Sequence, residues 1–476
     1  MMRRIALLLA ALALGGPVVA AGSDSPTADL LTQLLRFDTS NAPGRTIEQA
    51  RFLDGLFRAA GAETVQVATP ADGKVHFFAR LKGDGSKRPV LLAAHSDVVP
   101  VERKSWSVDP FAGVVRDGYV LGRGAMDFKG GQAVFARAVL MLAENHVKLA
   151  RDVIFLAEAD EEYGEFNTVW LAKEHWSLME CEFALNEGGW IFQDAQGRTR
   201  QVNITTRDKV GVSLRLSTTG TSTHASRPMP ESAITHLVTA LAKLAAWDPD
   251  PTLNDQSRAY FAALAESAPP ALAAPLRQLA ESRDPAVLRE AGRAVVARGD
   301  YPLLWHALMR NTIAETMVNA GIKENVIPGS ADAIVNLRLI PGSTPWDVIA
   351  EMRAVIADPS VAITLASGMT EAQARPLFEA RTNAPPSSTD TDLYRALVAS
   401  SRRLWPEARV VPALFEAGTD ATAWRQRGVP VYGIYPYPLD NDTLERMHGN
   451  DERIAVKSLE EGTQLIYDTL LAVAGR

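Results

Sequence analysis

The sequence predicts an α/β chain in which a mostly parallel sheet is sandwiched by helices and interrupted by an inserted α+β domain. Three observations carry this. From Ser25 to about Thr206, short, wholly apolar runs alternate with helical patterns, as strands buried on both faces do. Near Arg207 the character changes to strict apolar/polar alternation, the mark of a half-exposed sheet. From about Ser387 the first pattern returns, so the first domain is split around the second.

Taken in order, helical patterns at 27–37 and 46–60 precede strand-like runs at 75–81 and 90–94. An amphipathic helix over 129–146 leads into a buried-type strand at 153–157. Within the insert, 210–216 and 331–338 alternate in period two around a helix at 231–247. The stretch 248–304 is rich in Ala, Leu, Arg and Pro without β pattern, and predicts two or three short helices broken at Pro269-Pro270 and Pro285. Strands at 410–415 and 429–435 and a terminal helix over 456–474 complete the chain. The expected division is 1–21 as a signal peptide, 22–206 and 369–476 as the two parts of a catalytic-type domain, and 207–368 as the insert.

The 476 residues suffice for two or three domains with sizeable cores. A net charge of −7 argues against a nucleic-acid binder, which needs a basic surface to displace counterions from phosphates. Cys181 is alone, which excludes an intramolecular disulfide and an all-cysteine metal site; any metal must be held by histidines and carboxylates. Arg3 and Arg4 are followed by an apolar run from Ile5 to Leu14 and by small residues at Val18-Val19-Ala20-Ala21. That order is a signal peptide, too short to span a bilayer, and no other stretch approaches a membrane span. The expected protein is exported, periplasmic or secreted.

Candidate chemistry sits at predicted strand ends, where open α/β sheets bind ligands. His95 closes the run from Val90, and Asp97, two residues on, is placed to accept the other imidazole N–H. Asp127 lies in Gly122-Arg-Gly-Ala-Met-Asp-Phe-Lys-Gly-Gly131, a glycine-rich turn opening a helix. A phosphate cradle fits poorly there, because the spacing matches no nucleotide motif and an aspartate repels phosphate. The run Glu158-Ala-Asp-Glu-Glu162 reads either as a solvated acidic loop or as a division of labour between adjacent Glu161 and Glu162. In the second case one binds a metal and the other takes a proton from metal-activated water. Glu187, in Asn186-Glu-Gly-Gly189, and His448, in Met447-His-Gly-Asn-Asp-Glu452, are further candidates.

With these residues in hand, the chain resembles the di-zinc aminoacylase and carboxypeptidase family, metallopeptidase family 20. His95-Ser-Asp-Val-Val-Pro100, Gly122-Arg-Gly-Ala-x-Asp-x-Lys-Gly130 and Asp160-Glu-Glu162, in that order, carry the resemblance over nearly the whole mature chain. It implies a zinc-exopeptidase fold with a lid and dimerisation domain. It also implies two Zn2+ ions, with Co2+ or Mn2+ as substitutes, one on His95, Asp127 and Glu187 and the other on Asp127, Glu162 and His448. Glu161 falls on the general base and Asp97 on the residue that orients His95. His224 falls on the lid histidine that reaches an active site across a homodimer and stabilises the oxyanion. Asn325, Arg338, Gly418 and Thr419 fall on positions that meet the substrate and its carboxylate. Trp106-Ser-Val-Asp-Pro-Phe111, Asn336 and the long helical excursion resemble the Gly-Xaa carboxypeptidase and N-fatty-acyl-amino-acid hydrolase branch.

The expectation is therefore a zinc-dependent hydrolase that cleaves an amide next to a C-terminal amino acid with a free carboxylate. Its substrate is a small peptide or an N-acyl amino acid. An N-acyl-amino-acid deacylase is the alternative within the enzyme class, and a non-catalytic zinc-dependent binding protein the alternative outside it.

Overall fold

A computed structural model describes residues 25–266 and 268–476; the expected signal peptide at 1–21 lies outside them. Eight strands form one sheet in the spatial order Glu63–Ala68, Val75–Leu81, Val153–Glu158, Val90–His95, Phe183–Gln193, Val431–Leu439, Thr199–Asp208, Arg409–Phe415. Its centre is parallel, from Val153–Glu158 through Val90–His95 and Phe183–Gln193 to Val431–Leu439; antiparallel pairs flank it on both sides, and the far edge pair, Thr199–Asp208 with Arg409–Phe415, is parallel again.

Because successive side chains of a strand point to opposite faces, the run Val90–His95 feeds two cores. Val90, Leu92 and Ala94 face the core that takes in Leu31 and Leu34 of helix Pro26–Leu35, Phe135 of helix Lys129–Glu144 and Leu465 of helix Val456–Ala474. Leu91 and Ala93 face a second core with Leu171, Met179 and Trp424. Burial on both faces is what makes the strand uniformly apolar.

The insert is built on an antiparallel four-stranded sheet, in the order Thr312–Ala320, Ser330–Leu339, Val210–Thr219, Ala362–Leu365. Leu214, Leu216, Val335 and Leu337 face its helices, and the residues between them are more exposed. Helix Glu371–Thr382 puts Ala374 and Phe378 into this same core, past residue 368 where the sequence closes the insert.

Where two or three helices were expected over 248–304, the structure shows four, Asp255–Ala265, Pro270–Glu281, Pro285–Arg298 and Pro302–Leu308. Three of them begin on proline, which is preorganised for the first helical position, so each proline starts a helix as well as ending the stretch before it. Their apolar faces join the large sheet's core: Tyr260, Phe261 and Leu264 share it with Val411, Ala413 and Leu414 of the edge strand. Among the described residues no helix is long and apolar enough to cross a membrane.

The terminal helix lies unusually close to the strand that carries Tyr435. A Cβ on Gly462 would stand 1.7 Å from the carbonyl oxygen of Pro436. Gly462→Ala gains about 1 kcal/mol of helix propensity, but forcing helix and strand apart costs about 1–3 kcal/mol. The expected result is a net loss of stability, read as a lower urea midpoint at unchanged m-value.

Candidate metal centre

His95 ends its strand directly beside Glu158 of the neighbouring strand, and Glu187 projects from the next strand over. Asp127 sits just before helix Lys129–Glu144, and His448 in the loop before strand Arg453–Ala455. Drawn from positions 95 to 448 of the chain, these side chains converge. His95 Nε2 lies 3.1 Å from Asp127 Oδ1 and 3.5 Å from Glu187 Oε2. His448 Nε2 lies 3.0 Å from Asp127 Oδ2 and 3.2 Å from Glu162 Oε1. Asp127 thus gives one oxygen to each of two triads, His95–Asp127–Glu187 and Asp127–Glu162–His448. A third grouping, His95–Glu161–Glu162, places Glu161 inside the cluster but in neither triad that shares Asp127.

The charge in this cluster is unbalanced. Among the described residues, no lysine or arginine pairs with Asp127, Glu161, Glu162 or Glu187. Burial, then repulsion by Glu187 and Glu162, pushes the Glu161 carboxyl well above its usual range. Burial likewise pushes Glu187 up to about 7. Burial disfavours a charged His448, yet Asp127 and Glu162 outweigh it and raise its pKa to about 10, so protons stand where lone pairs converge. Two donors about 2.1 Å from one small divalent ion at a tetrahedral angle stand about 3.4 Å apart. The observed separations and the N/O donor set both fit such ions.

A surrounding shell fixes the ligand loops. His95 Nδ1 lies 2.9 Å from the backbone carbonyl of Asp97 and 3.7 Å from its carboxylate, so the carbonyl accepts the hydrogen bond expected of the side chain. The carboxylate instead accepts the backbone N–H groups of Glu161 and Glu162, at 3.1 and 3.0 Å, and the Asn41 amide at 2.7 Å. The same Asn41 amide donates to Asp160 at 2.7 Å, and Lys74 pairs with Asp160. On the other side Glu452 accepts the N–H groups of Gly124, Met126 and Asp127 at 3.1, 2.8 and 2.9 Å. Its partner Arg123 also donates to the carbonyls of His448 and Gly449. Glu452 therefore joins the glycine-rich turn to the His448 loop, where His448 itself has a φ of +59°. Tyr435 donates to Asp127 at 3.0 Å.

The remaining sequence candidates lie on the insert or at its junction. His224 and Asn325 stand on a two-stranded ribbon, Thr223–His224 against Val326–Ile327, and both are exposed. His224 Nδ1 accepts the Ser226 N–H at 3.1 Å; no hydrogen bond joins it to the carboxylate cluster of its own chain. Arg338 projects from strand Ser330–Leu339, and among the described residues only its Nε is engaged, on Asn336. A Cβ on Gly418 would stand 3.8 Å from Arg338 Nη1, which brings that guanidinium against the Gly418–Thr419 loop. The Thr419 hydroxyl donates to Asp208 at 2.6 Å.

Residues 91–472 match the model of peptidase family M20/M25/M40. The chain belongs to that family. It is 31% identical over 396 residues to the probable carboxypeptidase S-like 2 of Dictyostelium discoideum, covering 81% of this chain and 71% of that one. It is 28% identical to the human N-fatty-acyl-amino acid synthase/hydrolase PM20D1, covering 83% and 76%. Its fold matches an M20 family metallo-carboxypeptidase from Sulfolobus solfataricus, with a TM-score of 0.66 at 17% identity over 93% and 98% of the two chains. Human carnosine dipeptidase 1 matches equally, at 18% identity over 94% and 95%.

As an M20 peptidase the protein is a metal-dependent hydrolase. Of the residues that organise its centre, Asn41, Lys74, Arg123, Tyr435 and Glu452 were not singled out from sequence. Glu452 carried the best signal, a buried-type acid four residues beyond His448, but nothing local distinguishes it from a solvated one. Replacing it tests its role. Glu452→Gln leaves Arg123 buried and unpaired, a cost of about 3–5 kcal/mol. Metal affinity in chelator competition should fall about 10- to 100-fold, the usual effect of losing such a supporting contact. Unchanged affinity would show that the two loops hold themselves.

Proposed function

We propose that the protein is an exported, homodimeric di-zinc amidohydrolase that cleaves the amide next to a C-terminal amino acid with a free carboxylate. The observation that carries the reading is the pair of triads sharing Asp127, with Glu161 beside them and in neither. His95, Asp127 and Glu187 would hold one ion, and Asp127, Glu162 and His448 the other. Zinc suits this N/O set, and cobalt or manganese would substitute. Bound there, such ions supply Lewis acidity and lower the pKa of a coordinated water.

The chain's own residues do the rest. Glu161, fixed through its backbone N–H on Asp97, takes a proton from the attacking water and passes it to the leaving amine. Amide and water become carboxylate and amine, with no other co-reactant. Arg338 offers its free terminal nitrogens to the substrate carboxylate, for which a planar fork is suited. The Thr419 hydroxyl is committed to Asp208, so the contact of that loop with substrate falls to its backbone. Asn325 flanks the entrance from the lid ribbon. His224 of the partner subunit would complete the oxyanion site, consistent with its exposure on this chain.

Dimerisation is supported by the insert's edge strand, Thr312–Ala320, which has a single neighbour and exposes Met317 and Val318, with Ile322 96% exposed just beyond. Export rests on the basic, apolar and small-residue order at 1–21. A deacylase acting on N-acyl amino acids is the second reading, favoured by the similarity to PM20D1.

Release of free amino acid from dipeptides and N-acyl amino acids tests the class, and the substrates consumed decide between the readings. Glu161→Gln should keep its metal content and lose about 10²- to 10⁴-fold in kcat. Near wild-type turnover in that variant would rule out Glu161 as the base. A chelator should abolish activity and zinc restore it. Val318→Asp should shift sedimentation toward monomer and lower activity with it; a monomeric variant of full activity would remove His224 from the reaction.

A further inference from the structure

At the junction of insert and catalytic domain, the charge reverses sign. Arg207, Lys209, Arg338, Arg381 and Arg425 gather near the Gly418–Thr419 loop, in a protein whose net charge is −7. Most have partners. Arg207 donates to the Thr382 carbonyl, Lys209 to those of Ala307 and Arg310, and Arg425 pairs with Asp208. Asp208 is also the acceptor for Thr419.

Arg381, in the last turn of helix Glu371–Thr382, is different. It is partly buried, its Nε is sealed from solvent without an acceptor, and among the described residues no hydrogen bond or ion pair engages any of its donors. A guanidinium carries five N–H donors, and buried donors in native structures are nearly always satisfied. Burial, together with nearby Arg338, holds it below its usual range against the pull of Asp208. Its surroundings point toward a ligand: it lines a cavity of about 490 Å³ between the insert and the catalytic domain, with Trp170, Lys173, Leu377, Thr419 and Asp420. That cavity is also lined by Gly164, Glu165 and Asn167, on the segment that directly follows Glu161 and Glu162. Two half-buried guanidinium groups, Arg338 and Arg381, therefore flank one loop with donors to spare.

We propose that Arg381 binds a second acidic group of the substrate, so that the preferred C-terminal amino acid is itself acidic: Arg338 takes its α-carboxylate and Arg381 its side-chain carboxylate. This rests on the amidohydrolase reading. A neutral side chain leaves the Arg381 donors unpaired, and a site built for a hydrogen-bonding group rejects the analogue that lacks it.

Kinetics of the zinc-loaded full chain on Gly-Glu against Gly-Gln, and Gly-Asp against Gly-Asn, test it. The acidic member of each pair should have a kcat/KM at least tenfold higher, carried by KM. Arg381→Gln should reduce that ratio at least tenfold, and Arg381→Lys should retain part of it. A wild-type ratio near one, or a ratio unchanged in Arg381→Gln, overturns the proposal. Calorimetry with free glutamate against free glutamine reads the same arginines without turnover. Glutamate bound at least tenfold more tightly, and only while Arg381 is present, upholds the assignment even if no dipeptide is cleaved. In that case the hydrolytic reading fails instead. Equal binding of the two overturns it.

Discussion

Mutual repulsion among buried carboxylates is the constraint on which the centre of this molecule depends. Asp97, Asp127, Glu161, Glu162 and Glu187 meet around two imidazoles, and no lysine or arginine among the described residues pairs with any of them. Left alone, such groups take up protons or spread apart, since each buried charge loses its hydration. The protein holds them in place with backbone: a strand end fixes His95, the interior of strand Phe183–Gln193 fixes Glu187 where the sequence placed it at a strand end, and N–H groups donated to Asp97 and Glu452 fix the loops. The cost is recovered only when a cation enters, so folding and metal binding are thermodynamically linked here.

The supporting charges follow from that. Glu452 and Asp160 are buried acids, but each has a permanent cation, Arg123 and Lys74. Neither cation reaches the donor atoms themselves. The division is functional: charge used for scaffolding is neutralised within the chain, and charge used for the metal is left open. Tyr435 shows the same economy, since its hydroxyl orients Asp127 without adding charge to the cluster.

How much of this the sequence discloses depends on whether a signal is local. Val75–Leu81 and Val456–Ala474 fall where periodicity places them, because a strand buried on both faces and a long amphipathic helix each carry their pattern within one segment. The hairpin Phe183–Gln193 and Thr199–Asp208 was not delimited, since Asn186, Gly188 and Gly189 interrupt the apolar run that would mark a strand. Those interruptions flank Glu187, which stays inside the strand where its pairing with Val431–Leu439 shifts register; a Cβ on Gly189 would stand 2.0 Å from the Asn203 carbonyl oxygen. Thr312–Ala320 is nearly all exposed and has no apolar face to read. In the site, His95, Asp127 and Glu162 are recognisable by motif. Asn41 and Glu452 act across 56 and 325 residues of chain, on Asp97 and on the N–H of Asp127, a relation that only folding creates.

The two ends of the cleft now explain one another. The junction around Gly418 is basic, and cations bound at the carboxylate cluster would offset its negative charge. On the proposed reading the arginines draw the substrate's free carboxylate to the junction, which leaves the scissile amide toward Glu161. On that reading the same arrangement would select against internal peptide bonds. A peptide bond in place of the free carboxylate would remove one of the two oxygens that the Arg338 fork can pair with, leaving a terminal donor without an acceptor, and an unpaired buried donor costs about 1–3 kcal/mol, more when it is charged. On the proposed reading, preference for a chain end follows from where the arginines stand.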